Sequence, residues 1–225
     1  MVYDKNHLGE GDFDDRLTTK FGLDKQFNHF IIRSCIDLLE DTEQAITDFE
    51  RFGLDGPTKL DNWGERYLRL YGLLNAVNSQ KSIVITLHEI FKLPEKKKDF
   101  LQRFKGIKII DTRHMIASHS LDYNDGNGRD FFRVSMTTVR NKGENIHIQS
   151  KDKFIQVDLI KELKEFRTVL HSELLKIIKH LLKRFVDKKS KFFKVIEPDI
   201  DAVEARIDGH LVIDTVNGKV IFKSR

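Results

Sequence analysis

Three long stretches with an apolar residue at every third or fourth position constrain this chain of 225 residues to a mainly helical fold. The first runs from about Leu23 to Phe52 and carries Phe27, Phe30, Ile31, Leu38, Ile46 and Phe49. The second, from about Asp61 to Phe91, carries Tyr67, Leu70, Tyr71, Leu74, Val77, Ile83, Leu87 and Phe91. The third, from about Leu159 to Val186, repeats the spacing through Leu163, Phe166, Leu170, Leu174, Ile177, Ile178 and Leu181. At about 3.6 residues per turn, this spacing gathers the apolar side chains into one stripe, which water drives against a neighbouring stripe. Gly53-Leu54-Asp55-Gly56-Pro57 separates the first two runs, with glycines that end a helix and a proline that cannot continue it.

Between the second and third runs the pattern is more varied. Pro94 and Glu95 open a short basic helix expected to reach Arg103 or Phe104, where Gly106 breaks it. Residues 107–123 follow as a helix with Ile107, Ile110, Ile116 and Ala117 toward the core. The segment DYNDGNGRD, residues 122–130, has the oxygen-rich look of a calcium loop but lacks a closing acid at the required distance, so it reads as a turn. Residues 131–157 switch to strand character: FFRVSMTTVR, the turn Asn141-Lys142-Gly143-Glu144, then NIHIQS and FIQV. The tail HLVIDTVNGKVIFKSR reads as a hairpin, with Asn217-Gly218 as its type I′ turn. The expected organisation is a flexible arm over 1–22, a helical domain over 23–190 with a β insertion at 131–157, and a C-terminal β-hairpin extension over 191–225.

Composition excludes several classes. A chain 40% hydrophobic and 33% charged has material for a core, and no apolar run approaches the ~18 residues that a membrane span requires. Its only cysteine, Cys35, rules out an intramolecular disulfide and a cysteine zinc site. The opening MVYDKNHLGEGDFDD is polar and acidic, unlike a secretory or transit segment, so a cytoplasmic location is expected. The formal charge of +4 is modest, but it is unevenly spread. Residues 176–194 hold eight basic side chains and one acid, and residues 92–108 hold seven and two. Such clusters attract phosphate, and they also occur as plain solvated faces. The chain has 17 phenylalanines, whose spacing marks core positions rather than an exposed stacking row.

Familiar catalytic patterns fail. His88-Glu89 starts like a zinc-protease helix, but position 92 is lysine, and glycine-rich phosphate loops and a G-x-S-x-G elbow are missing. His171 and His180 are about 13.5 Å apart along a helix at 1.5 Å per residue, too far to share one ion. What remains is Asp111-Thr112-Arg113-His114-Met115-Ile116-Ala117-Ser118-His119. Arg113 is followed by a polar residue, and five residues separate it from His119. A second pair with related spacing, Arg140 and His147, spans the Asn141 turn and lacks a helical setting.

This segment, set after a long helical pair and before another long helix, resembles the signature of the HEPN superfamily, whose helical domains include many metal-independent ribonucleases. The resemblance covers roughly residues 23–121 and 158–186, and implies a HEPN-like up-down helical bundle. It also implies a toxin- or defence-type endoribonuclease with Arg113 and His119 as catalytic residues, no metal and no cofactor. RNA would be the substrate, a homodimer the working form, and an antitoxin or accessory protein a further partner. Histidine titrates near neutrality and can move the protons, while a guanidinium can stabilise charge at phosphorus, giving 2′,3′-cyclic phosphate ends. His114 and Lys96, Lys97 and Lys98 would contact RNA, and Ser118 would orient the histidine. The family tyrosine sometimes found two residues after the histidine has no counterpart, since Leu121 stands there and Tyr123 is four residues on. On an unbroken α-helix, Arg113 and His119 would lie ~120° apart and ~9 Å along the axis. The alternative is a catalytically inactive HEPN-like interaction or nucleotide/RNA-binding module, with Arg113 a salt-bridge partner of Asp111 or Asp122 and the C-terminal hairpin an edge for a partner strand.

Overall fold

A computed structural model describes residues 19, 27–58, 62–118, 123–124, 129–135, 145–151, 153–185, 191–215 and 218–222. The protein is mainly helical, with small antiparallel sheets. The helices are α1 (Phe27–Phe52), α2 (Trp63–Ile90), α3 (Lys97–Gln102), α4 (Lys108–Arg113), α5 (Leu159–Phe185) and α6 (Lys191–Ile207). A π-helical turn, His114–Ser118, continues α4 directly. The strands are β1 (Tyr123–Asn124), β2 (Arg129–Asp130), β3 (Arg133–Val134), β4 (Asn145–Gln149), β5 (Phe154–Asp158), β6 (Leu211–Thr215) and β7 (Gly218–Phe222).

The chain divides into two compact units, and the division falls inside α1, α2 and α5. One unit spans Ile36–Ile83 and Lys98–Leu170. Its core holds Ile46 and Phe49 of α1, Leu70, Leu74 and Val77 of α2, and Leu163, Phe166 and Leu170 of α5, all buried. Phe104 bridges two of its elements, with ring centroids 5.5 Å from Phe100 and 6.3 Å from Phe166. An ionic link ties the helices as well: Arg167 of α5 donates to Glu43 and Glu50 of α1, while Gln80 of α2 donates to Glu43 at 3.1 Å.

The three-stranded sheet of this unit has the order β3-β4-β5. Alternation sorts its residues: Val134, Ile146, Ile148 and Val157 are buried on one face, whereas Arg133, Gln149, Phe154 and Gln156 are exposed. The α4 helix packs against β5 and the π-turn against β3, so the 108–118 run lies across the sheet. β1 pairs with β2, Tyr123 opposite Asp130, which puts Tyr123 in a short hairpin rather than in the expected helix over 107–123. Of the 122–130 segment expected to be a turn, residues 125–128 lie outside the described residues. The Asn141–Glu144 turn lies outside the described residues.

The other unit comprises the described residues within Met1–Cys35, Val84–Lys97 and His171–Arg225. Here α6 packs against the β6–β7 hairpin, and Lys179 of α5 meets Glu204 of α6 at 2.6 Å. Lys219 of β7 reaches Asp199 at 3.3 Å and Asp214 at 2.8 Å. The expected β-hairpin extension over 191–225 holds a hairpin only in its later part, because residues 191–207 form α6, which accommodates Pro198 within it. Its apolar pattern still closes a stripe, and Ala202 and Ala205 are buried. Gly209, with φ +79°, ends α6: the His210 amide bonds back to the Ala205 carbonyl at 2.8 Å, a closure that requires a left-handed residue at 209. In the hairpin, Gly218 pairs with Thr215, so Gly218 begins β7 rather than sitting in the expected Asn217-Gly218 turn.

Several residues assigned to apolar stripes face solvent instead. Phe30, Leu38, Tyr71, Ala117 and Ile178 are exposed. These helices carry apolar residues on more of their circumference than their neighbours cover.

Candidate functional site

The motif segment is positioned by packing on its apolar side. Ile109, Ile110 and Thr112 of α4 and Met115 and Ile116 of the π-turn are buried. That anchoring turns Asp111, Arg113 and His114 to half-buried positions. With six residues, α4 is too short to hold itself by helix propensity, and Ile107 provides no side-chain cap. Tertiary burial therefore fixes it.

At His114 the backbone remains right-handed, φ −63° and ψ −43°, and its amide reaches the carbonyls of Ile110 and Asp111. From there the chain widens into the π-turn. A π-turn closes i→i+5 hydrogen bonds, so each residue advances less around the axis than in an α-helix, and such turns recur at functional sites. The α-helical offset expected between Arg113 and His119 therefore does not apply, because the wider turn occupies 114–118 between them. His119 and the Ser118 side chain lie outside the described residues.

The site contains a residue that sequence reading missed. Lys81 of α2 is half-buried, and both Asp111 and Arg113 act on it electrostatically. Burial pushes the Lys81 ammonium below its ordinary range and Arg113 pushes the same way, while Asp111 holds it up. Two cations and one carboxylate thus act on one another where water is partly excluded. A desolvated cation pair is poorly compensated by a single carboxylate, and an anion such as phosphate would complete it. No local pattern marks Lys81, because its partners lie thirty residues further along the chain.

Two buried oxygens, one on α4 and one on α5, lack a hydrogen-bond partner among the described residues. Glu162 of α5 is 3% exposed, its Oε1 is 3.8 Å from Lys108 Nζ, and its Oε2 finds no hydrogen-bond partner among the described residues. Burial raises its carboxyl pKa, Glu165 and Asp158 raise it further, and Lys108 and Lys161 oppose them. Thr112 Oγ1, on the next turn of α4 from Lys108, is likewise buried without a partner among the described residues.

The other expected contacts are dispersed. Lys96, Lys97 and Lys98 are exposed at the start of α3, and Lys97 is paired with Glu89. In the second basic cluster, Lys176 is bonded to Glu173 at 2.8 Å and Lys179 to Glu204, so both already have carboxylate partners. Cys35 is buried, which raises its thiol pKa. Among the described residues, no three His, Cys, Asp or Glu side chains are grouped to hold a metal ion, and no helix is long and apolar enough to cross a membrane. No family model, no curated protein and no solved structure matches this chain.

Proposed function

We propose that this protein is an endoribonuclease of toxin or defence type, with a HEPN-like helical arrangement and a working homodimer, that cuts RNA without a metal ion. The observation that carries the reading is that half-buried Lys81 lies within the electrostatic reach of Asp111 and Arg113, both half-buried in the motif segment. Arg113 and Lys81 supply positive charge for the scissile phosphate, and Asp111 keeps Lys81 charged. His119 removes the proton from the ribose 2′-hydroxyl, whose oxygen attacks phosphorus. The bond to the 5′-oxygen breaks, and that oxygen leaves as a hydroxyl after taking a proton from a second histidine, the His119 of the other copy. The products are a 2′,3′-cyclic phosphate and a 5′-hydroxyl. Charge stabilisation by fixed cations in a water-poor site is the largest contribution such a reaction draws from the protein.

The test incubates purified protein with total RNA and with transfer RNA in EDTA, beside Arg113→Ala and His119→Ala, with product ends mapped. Cleavage lost in both variants, with helical circular dichroism retained, supports the reading. Absence of cleavage by a confirmed dimer between about pH 6 and 8 moves the assignment to a non-catalytic RNA-binding or interaction module.

A further inference from the structure

The exposed face of the three-stranded sheet carries side chains that folding does not explain. In one row, Arg133, Gln149 and Phe154 lie side by side in register, and Arg133 Nη2 donates to Gln149 Oε1 at 3.1 Å. In the next row, His147 pairs with Gln156, and the Ser135 amide donates to the His147 carbonyl at 2.8 Å. The His147 ring stands 4.6 Å from the Phe154 ring at 37°, so the histidine supports the phenylalanine from one side. Yet Phe154 is 65% exposed, and Phe131, two residues before Arg133, is 48% exposed. The opposite face packs into the core, with Ile146 and Ile148 at 0%. Phe154 on β5, with Phe131 just before β3, thus presents aromatic surface to solvent beside amides and an arginine.

Charge selects the occupant. Arg133 lies on this face, and Lys151 and Lys153 lie in the turn joining β4 to β5, where Asp152 between them is outside the described residues. The acid at the far end of the face, Asp158, is engaged: its Oδ1 accepts the Lys161 amide at 3.0 Å and caps α5. Phe154 and Phe131 thus form an aromatic surface edged by Arg133 and Lys151, the combination that holds unpaired bases by stacking while cations follow the phosphates.

We propose that this face binds single-stranded RNA, with bases stacked on Phe154 and Phe131. Gln149 and Gln156 meet base edges, and Arg133 and Lys151 meet the backbone. A duplex does not fit, because its base faces are already stacked on one another. The surface is distinct from the Arg113 cluster, since α4 and the π-turn lie across the sheet through their own buried residues. Binding here is independent of whether the protein cleaves.

Fluorescence anisotropy with a labelled 2′-O-methyl oligouridine tests this, because that strand has no free 2′-hydroxyl and its binding reports nothing about cleavage. Saturable binding is expected, weakened about 5- to 100-fold by Phe154→Ala and kept within about threefold by Phe154→Trp. Annealing the strand to its complement should weaken it, and Arg133→Ala should lower the salt slope by about one. No saturable binding, or binding indifferent to Phe154→Ala, overturns the proposal. So does self-association of the protein that Phe154→Ala abolishes while RNA affinity stays the same, which would make the face a protein interface.

Discussion

Arg167 Nη1 donates to Glu50 Oε2 at 2.6 Å, although 117 residues separate them in the chain. The same guanidinium also reaches Glu43, which in turn accepts from Gln80, so one side chain of α5 joins a polar chain through α1 to α2. The Arg167 side chain is 22% exposed, so the fork is partly desolvated, and its removal takes the shared cation from two half-exposed carboxylates of α1. Arg167→Met should therefore lower stability by about 1–3 kcal/mol, the range between an exposed pair and a fully buried one. Urea denaturation followed by circular dichroism measures it. Glu50→Gln, which keeps a hydrogen-bonding partner, should cost less, and equal losses would mean the fork acts only through its packing.

Arg167 also marks where sequence reading stops. The apolar spacing of 159–186 located α5 to within a residue at its C-terminal end, because burial periodicity is written in the chain itself. The partners of Arg167 are not, because long-range ion pairs have no local period. The motif segment divides the same way. Ile110 and Ile116 read correctly as buried, but Ala117 is exposed because the π-turn shifts every position after His114 relative to an α-helical count. Lys81 was invisible for the reason Arg167 was. On the sheet, alternation is legible in NIHIQS and FIQV, yet the phenylalanine spacing that points to core positions does not hold at Phe154, since a phenylalanine in a strand does not say which face it takes.

Glu162 gives a pH dependence with a definite sign. Burial raises its folded carboxyl pKa above the unfolded value of 4.5. Between the two values the folded protein binds more protons than the unfolded chain, so the contribution of Glu162 to stability falls as pH rises through that window. Glu162→Gln removes the ionisation while keeping the shape. Its Tm, relative to the wild type, should climb as pH rises from the ordinary carboxylate range toward neutrality. A difference that stays flat with pH would show that Lys108 compensates the charge fully.

His180 works in the opposite direction. Burial lowers its pKa from 6.5, with Arg184 and Lys183 adding to the effect, while a bond to the Phe91 backbone opposes it. The folded protein then binds fewer protons than the unfolded chain, and stability is lost as pH falls below the ordinary histidine value toward the lowered one. In thermal melts, His180→Gln should flatten the acid side of the stability profile without changing the alkaline side. An unchanged acid limb would place the destabilising proton elsewhere.

The end of α2 stores strain at a single residue. Lys92 has φ +47°, a left-handed conformation, and the Leu93 amide closes the helix by bonding to the His88 carbonyl at 3.2 Å. This is the position glycine normally fills, and a side chain there costs about 1 kcal/mol. Lys92→Gly should stabilise the protein by roughly that amount, less what glycine loses in unfolded-chain entropy. Equilibrium denaturation reads it directly, and a destabilised variant would mean that the contacts of the Lys92 side chain outweigh its backbone strain.

The proposed cleavage makes a specific demand on Lys81. If its ammonium faces the scissile phosphate beside Arg113, Lys81→Met should reduce RNA cleavage about 10²-fold, the effect of losing one donor aimed at developing negative charge. Lys81→Arg should retain most activity, because the positive charge survives. The pH profile separates this from a structural role. Burial and Arg113 lower the pKa of Lys81, so the wild-type rate should fall on the alkaline side earlier than an ordinary lysine near 10.5 would allow. In Lys81→Arg that fall should move to higher pH. In Asp111→Asn, which removes the charge that keeps Lys81 protonated, it should move to lower pH. Full activity in Lys81→Met would separate the lysine from the reaction and leave Arg113 as the cation at phosphorus.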